Sequence, residues 1–329
     1  MPANLTPQYQ KAESEFRRAQ SAQERVQCLE LMLQLIPKHK GTEKLQADLK
    51  TKLKETRADV QTEAKAPKGG KSYRFPRQGA GTIIIIGAPN AGKSRILAEL
   101  TNAEPTVAEY PFTTHEPLPG IMRWEDVSVQ LIDTPPVASG HIEPYVVNLV
   151  RAADAVLLAF DGSSDDAPEQ TVEVLELLAS RKTRLAEETG LDENDLGVVL
   201  VKTLMVVTRG DNPDVDARLE LLGELTTLDF PVQSVEFDRD DSRETLRKKV
   251  YDLLGVMRVY TKRPGRPKDE GDPFTIPIGG TVEELAAQVH RDLAESLKFA
   301  KVWGTSAHDG QSVGREHVLS DGDVVELYA

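Results

Sequence analysis

Residues 87–94 read GAPNAGKS, a G-x-x-x-x-G-K-S string set between a β-branched run, TIIIIGA, and an amphipathic stretch, SRILAELTNA. That context constrains the fold more than any other feature of the chain. A buried strand must end in a glycine-rich turn that opens a helix, and the turn's amides then ring a phosphate at the helix N-terminus. Gly87 and Gly92 let the backbone wrap the phosphate, Lys93 reaches the terminal phosphates, and Ser94 offers a hydroxyl to Mg²⁺. Pro89, Asn90, Ala91 and Arg95 complete the binding loop. A chance glycine-rich turn is the plain alternative, and the strand–loop–helix setting disfavours it.

Beyond the loop, short apolar runs (VSVQLID, AVLLAFD, TLMVVTRGD, PVQSVEFD) alternate with helical stretches. Alternation of that kind predicts an α/β domain, a mostly parallel sheet with helices on both faces. Ligands of such sheets sit at the carboxyl ends of strands, which directs attention to the residues ending each run. Asp133 is placed to support Mg²⁺ there; a plain strand-end turn is its alternative. Thr114, with Thr113 as the fallback, lies in a loop at a distance that suits a γ-phosphate sensor. Asp211 can accept two hydrogen bonds from the N1 and N2 donors of guanine, a pair adenine does not offer. Arg209 can cover one face of the ring with its alkyl stem, Thr208 can tie the base loop to the P-loop, and the Ser234–Val235 turn can supply an amide to the guanine carbonyl.

The flanks differ in composition. Residues 1–66 read as a helical domain, with Thr6–Pro7 as a helix start, Ser21 and Glu24 at capping-box spacing, and Leu45, Leu49 and Leu53 on one stripe. Residues 67–80 are a basic Gly/Pro linker, 81–262 the α/β domain, 263–271 a second basic linker and 272–329 a small mixed unit. The net charge of −13 is uneven: residues 1–80 carry 16 Lys and Arg against 9 Asp and Glu. A basic front segment suits an anionic partner or a merely solvated helix. The apolar runs are too short to span a bilayer, and one cysteine, Cys28, fits a reducing cytoplasm. No membrane or DNA contact is expected.

The ordered series GAPNAGKS, YPFTTHEP, DTPP, TRGD and SVE resembles the motifs of translation-factor-class GTPases, and YPFTT resembles the Obg branch. LLGVMRVYTKRPGRPKD is similar to the end of the G domain in developmentally regulated GTP-binding proteins, and the segment from TIPIGG to the C-terminus resembles a TGS domain, a β-grasp module. The resemblance implies a cytoplasmic, Mg²⁺-dependent GTPase that binds GTP and GDP and works on ribosomes or structured RNA, with a protein cofactor as a further candidate partner. Lys93, Thr114 and Asp133 are then its catalytic group, Ser94, Thr114 and Asp133 its Mg²⁺ set, and Asn90 a candidate K⁺ ligand.

Three departures qualify the resemblance. The guanine motif reads Thr-Arg-Gly-Asp instead of Asn-Lys-x-Asp, and the large G-domain insertion of eukaryotic relatives is not evident. Above all, the Asp-x-x-Gly of a second switch has become Asp133-Thr134-Pro135-Pro136, followed by Val137. Proline has no N–H to give a γ-phosphate, and valine cannot hydrogen-bond water through its side chain. Slow hydrolysis follows as the expectation. A nucleotide-binding scaffold with little hydrolysis, acting through its TGS and helical parts, is the alternative; a P-loop kinase is weaker because it leaves TRGD and the TGS-like tail unexplained.

Overall fold

A computed structural model describes residues 6–19, 21–37, 42–63, 73–101, 116–137, 140–192, 194–263, 266 and 271–329. Three helices come first: α1 (Pro7–Arg18), α2 (Ala22–Leu35) and α3 (Glu43–Glu63). Thr6 caps α1 by accepting the Tyr9 amide, and Ser21 and Glu24 close a reciprocal capping box on α2. The helices share a core of Tyr9, Phe16, Leu29, Met32 and Leu49, with Leu45 and Leu53 packed beside it. Arg18 pairs at 2.9 Å with Asp154, whose other oxygen accepts the Thr82 amide, so the helical unit is anchored to the first strand of the next one.

The central unit runs β1 (Thr82–Gly87), α4 (Lys93–Leu100), β2 (Leu118–Trp124), β3 (Val127–Asp133), α5 (Pro144–Ala152), β4 (Ala155–Asp161), α6 (Ala167–Ser180), β5 (Thr183–Ala186), β6 (Gly190–Leu191), β7 (Val199–Thr208), α7 (Val215–Leu225), β8 (Val232–Ser234) and α8 (Asp240–Leu253). Its sheet has the order β2-β3-β1-β4-β7-β5, parallel except for β2 against β3 and the short β6 against β7. The isoleucines of TIIIIG alternate between two cores: Ile84 and Ile86 face α5, α6 and α7, while Ile83 and Ile85 face α4 and α8. A run of β-branched residues with no polar interruption suits a strand covered on both sides.

The last unit contains β9 (Val256–Thr261), β10 (Phe274–Pro277), α9 (Val282–Val289), α10 (Arg291–Ser296), β11 (Phe299–Trp303), β12 (Gln311–Val313) and β13 (Val324–Tyr328), in a sheet of order β10-β9-β13-β11-β12. One expectation is corrected here. The segment Val256–Thr261, read as the end of the central domain, pairs with β10 and β13 and so belongs to the second sheet. The stretch TVEELAAQVHRDLAESL is two helices, because His290 is extended (φ −165°) and its Nδ1 caps the second by accepting the Asp292 amide. Trp303 is half-buried beneath Lys262, whose Nζ stands 3.3 Å from the ring centroid and pairs with Glu326 at 3.4 Å.

The two sheets meet through β9. Arg258 bonds Asp321 of its own unit at 2.7 Å and reaches Glu125 and Asp126 in the β2–β3 turn; Tyr260 donates to Asp126.

Candidate nucleotide site

The carboxyl ends of β1, β3, β4 and β7 gather the residues singled out by sequence. Gly92 is the N-cap of α4 at φ +87°, a left-handed conformation that glycine adopts without strain. A Cβ there would also lie 2.9 Å from Cγ2 of Thr208. No side chain caps α4, so the first-turn amides of Lys93, Ser94 and Arg95 keep the positive end of the helix open to an anion. Asn90 holds φ +60°, a conformation asparagine tolerates better than most residues. Pro89 carries no amide, so it can shape the loop but cannot donate.

Lys93 is only 6% exposed and donates to the Ala88 carbonyl at 2.7 Å. Burial lowers its pKa to about 8, and the charge of Asp133 opposes that shift. Asp133 is 1% exposed; burial raises its pKa, with the Ser94 hydroxyl and the Lys93 charge pulling the other way. Ser94 Oγ donates to Asp133 Oδ2 at 2.6 Å, while Oδ1 is buried without a hydrogen-bond partner among the described residues. A hydroxyl and a carboxylate with one unused oxygen form a hard oxygen donor set, which fits Mg²⁺. Thr113, Thr114 and His115 lie outside the described residues.

The base loop is tied to this centre. Thr208 Oγ1 lies 3.0 Å from the Ala91 carbonyl and 3.2 Å from that of Phe160. Arg209, at φ +52°, pairs with Asp161 at 2.7 Å and reaches the Asn90 carbonyl at 3.5 Å, so its guanidinium bridges the base loop and the P-loop. Asp211 is exposed, and its carboxylate has no hydrogen-bond partner among the described residues. Gly210 allows the loop to abut the Ser234–Val235 turn: a Cβ at residue 210 would stand 2.9 Å from that of Ser234.

One assignment is corrected. The Val235 amide donates to the Val207 carbonyl at 2.9 Å and the residue is buried, so this N–H is part of the sheet ladder and is not offered to a base. Two residues were not legible as site components. Arg218 of α7 binds the Gly162 carbonyl and Asn212 Oδ1, each at 2.8 Å, and pairs with Asp165, which fixes the loop after β4 against the base loop. Asp161 was visible as a strand-end acid, but nothing local pointed to Arg209. Arg95 pairs with Asp238 at 2.9 Å and stacks over Phe237. His141 is exposed and contacts Glu143, outside this cluster.

The segment after Asp133 is fastened to β1. Thr134 donates its amide and hydroxyl to the Ile85 carbonyl, at 3.3 and 2.8 Å. Val137 donates its amide to the Gly87 carbonyl at 3.1 Å and buries its side chain, 3% exposed, in the core under α5. Pro135 and Pro136 between them have no amides to give.

Two family models match: the 50S ribosome-binding GTPase over residues 82–189 and the TGS domain over 257–329. The second begins inside β9, in agreement with that strand's place in the second sheet. An uncharacterized GTP-binding protein of Methanocaldococcus jannaschii is 27% identical over 361 aligned positions, covering 93% of this chain and 92% of that protein. Developmentally-regulated G-protein 2 of Arabidopsis thaliana is 28% identical, covering 92% of this chain and 90% of its own length. The solved structure of the Schizosaccharomyces pombe YchF GTPase shares the fold, with a TM-score of 0.50 and 12% identity over 78% of this chain and all of that one. The uncapped P-loop helix, the Asp133–Ser94 pair and these relatives agree: the chain is a P-loop GTPase similar to the developmentally regulated GTP-binding proteins, with a C-terminal TGS domain.

Proposed function

We propose that the chain is a slow, Mg²⁺-dependent GTPase switch that acts on ribosomes or structured RNA in the cytoplasm. The observation that carries the slow and weakly discriminating part is the engagement of Val137: its amide is bonded to Gly87 and its side chain is buried, next to a proline that has no N–H. Among the described residues 134–137, no group is left to sense the γ-phosphate through the backbone or to orient water through a side chain.

The chain's own residues then divide the work. Lys93 supplies positive charge to the phosphates, and the first-turn amides of α4 donate to them. Ser94 and Asp133, with Thr114, would hold Mg²⁺, which supplies charge neutralisation at the transferring phosphoryl group. Asp211 reads the base with an unengaged carboxylate, while Thr208 and Arg209 hold its loop against the P-loop. The φ of Asn90 is explained by loop shape alone, so a role for K⁺ rests on turnover in potassium against sodium.

The matched family's description as ribosome-binding, together with the basic residues Arg263 and Arg266 beside the TGS domain, supports the partner class. Co-sedimentation with ribosomal particles is expected to depend on the bound nucleotide and on residues 1–63 or 272–329. Absence of co-sedimentation at low salt in every nucleotide state would refute it.

Burial of Val137 also favours a second reading, a nucleotide-held scaffold that hydrolyses almost nothing. GTP turnover above background, abolished by Lys93→Ala, decides against that reading.

A further inference from the structure

A cavity of about 270 Å³ lies between the helical unit and the central unit. Among the described residues its lining includes Arg17, Arg25, Lys52, Arg151, Arg181 and Lys182, and no carboxylate. It opens where β5 and β7 begin. Thr208 stands at the other end of β7, ten residues along, so the cavity is roughly 30 Å from the base loop. It is therefore separate from the nucleotide site.

Several observations mark the cavity as short of negative charge. Lys52 is paired with Glu55 at 3.5 Å and Lys182 with Asp195 at 3.4 Å, but among the described residues Arg17, Arg25, Arg151 and Arg181 form no salt bridge. Arg17 Nε is buried without a hydrogen-bond partner among the described residues. The point a side chain at Gly197 would occupy lies 2.9 Å from Asp195 Oδ1 and from Lys52 Nζ and 3.1 Å from Lys182 Nζ, so one carboxylate stands between two lysines. Burial, reinforced by the like charge of Arg25, lowers the pKa of Arg151 to about 10. Arg151 is partly answered by Thr183 Oγ1 at 2.8 Å and by the Arg181 and Lys182 carbonyls at the end of α6. Arg25 Nε donates to the Ala19 carbonyl at 3.4 Å, and Arg17 feels the charges of Glu13 and Asp154, so the arginines are compensated only in part. Cations gathered in a half-enclosed space need a counter-anion, and arginine forks match phosphate oxygens.

We propose that this cavity binds a compact run of phosphates, supplied either by a free oligophosphate or by consecutive phosphates of an RNA strand. The ligand bridges α1 and α2 on one side to the ends of α5 and α6 on the other, and so fastens the helical unit to the central unit.

The test uses the full chain carrying Lys93→Ala, without divalent cations, so that the P-loop does not compete. Calorimetric titration with inorganic tripolyphosphate, and separately with a short single-stranded RNA, is expected to show saturable binding that weakens as salt rises. Arg25→Gln and the exposed Arg181→Gln should each weaken it at least about tenfold. Binding of tripolyphosphate alone assigns a free oligophosphate, and binding of RNA assigns a strand. In the wild-type chain saturated with GDP, hydrogen exchange should slow at residues 16–25 and 180–183 when the anion is added. Absence of binding by both anions, or binding indifferent to both substitutions, overturns the proposal.

Discussion

Replacing Pro136 with glycine returns an N–H to the position where the second switch of related GTPases addresses the γ-phosphate. The neighbouring amide cannot already serve in its place, because Val137 N–H is bonded to the Gly87 carbonyl at 3.1 Å. A hydrogen bond from an amide to a charged phosphate contributes roughly 1.5–3 kcal/mol. Ordering a glycine where a proline was already restricted costs about 1 kcal/mol. The net gain for GTP over GDP is therefore about 0.5–2 kcal/mol, or roughly 2- to 30-fold in the affinity ratio. The assay is competition of GDP and a non-hydrolysable GTP analogue against a fluorescent guanine nucleotide, for wild type and Pro136→Gly. An unchanged ratio refutes the reasoning, since it means that γ-phosphate sensing does not pass through this position. A high GTP preference in the wild type would refute it as well, by showing that the Val137–Gly87 bond breaks when GTP binds.

Other outcomes follow from the same geometry. Asp211→Asn should lower GTP affinity roughly 10- to 100-fold without changing the melting temperature in the absence of nucleotide, since Asp211 is exposed; equal losses in both measurements would point to a structural role instead. Thr208→Val removes a buried hydroxyl held between Ala91 and Phe160, and should cost about 1 kcal/mol in denaturant unfolding while weakening nucleotide binding. The hydrogen bond and charge of Arg258 hold the Asp321 carboxyl below its ordinary 3.8. The stabilisation is thus present above that pH and lost as pH falls below it. Arg258→Gln should then be least stable relative to wild type near neutrality, with the gap closing below pH about 4; a constant gap in melting temperature from pH 7 to 3 would exclude this coupling.

Local signals made much of the site legible. The P-loop announces itself because strand, glycine turn and helix are consecutive in the chain, and Thr6, Ser21 and Glu24 announce helix starts because caps act within one turn. What escaped depends on distant pairing. β2 carries Pro119–Gly120, which argues against a strand, but it is an edge strand and tolerates both. β9 has strand-like alternation that does not reveal which sheet it joins; its partners lie in β10 and β13. The break at His290 has no proline or glycine, so the helical pattern runs through it unmarked. The bonds of Val137 to Gly87 and of Val235 to Val207 join residues far apart in sequence, and they decide which amides can reach a ligand.

The decisive measurement is GTP turnover by the purified full chain with Mg²⁺, set beside ATP and beside Lys93→Ala. Slow hydrolysis of GTP is expected, with little or none of ATP and loss of turnover in the variant. Equal use of the two nucleotides, or turnover that survives Lys93→Ala, would contradict it.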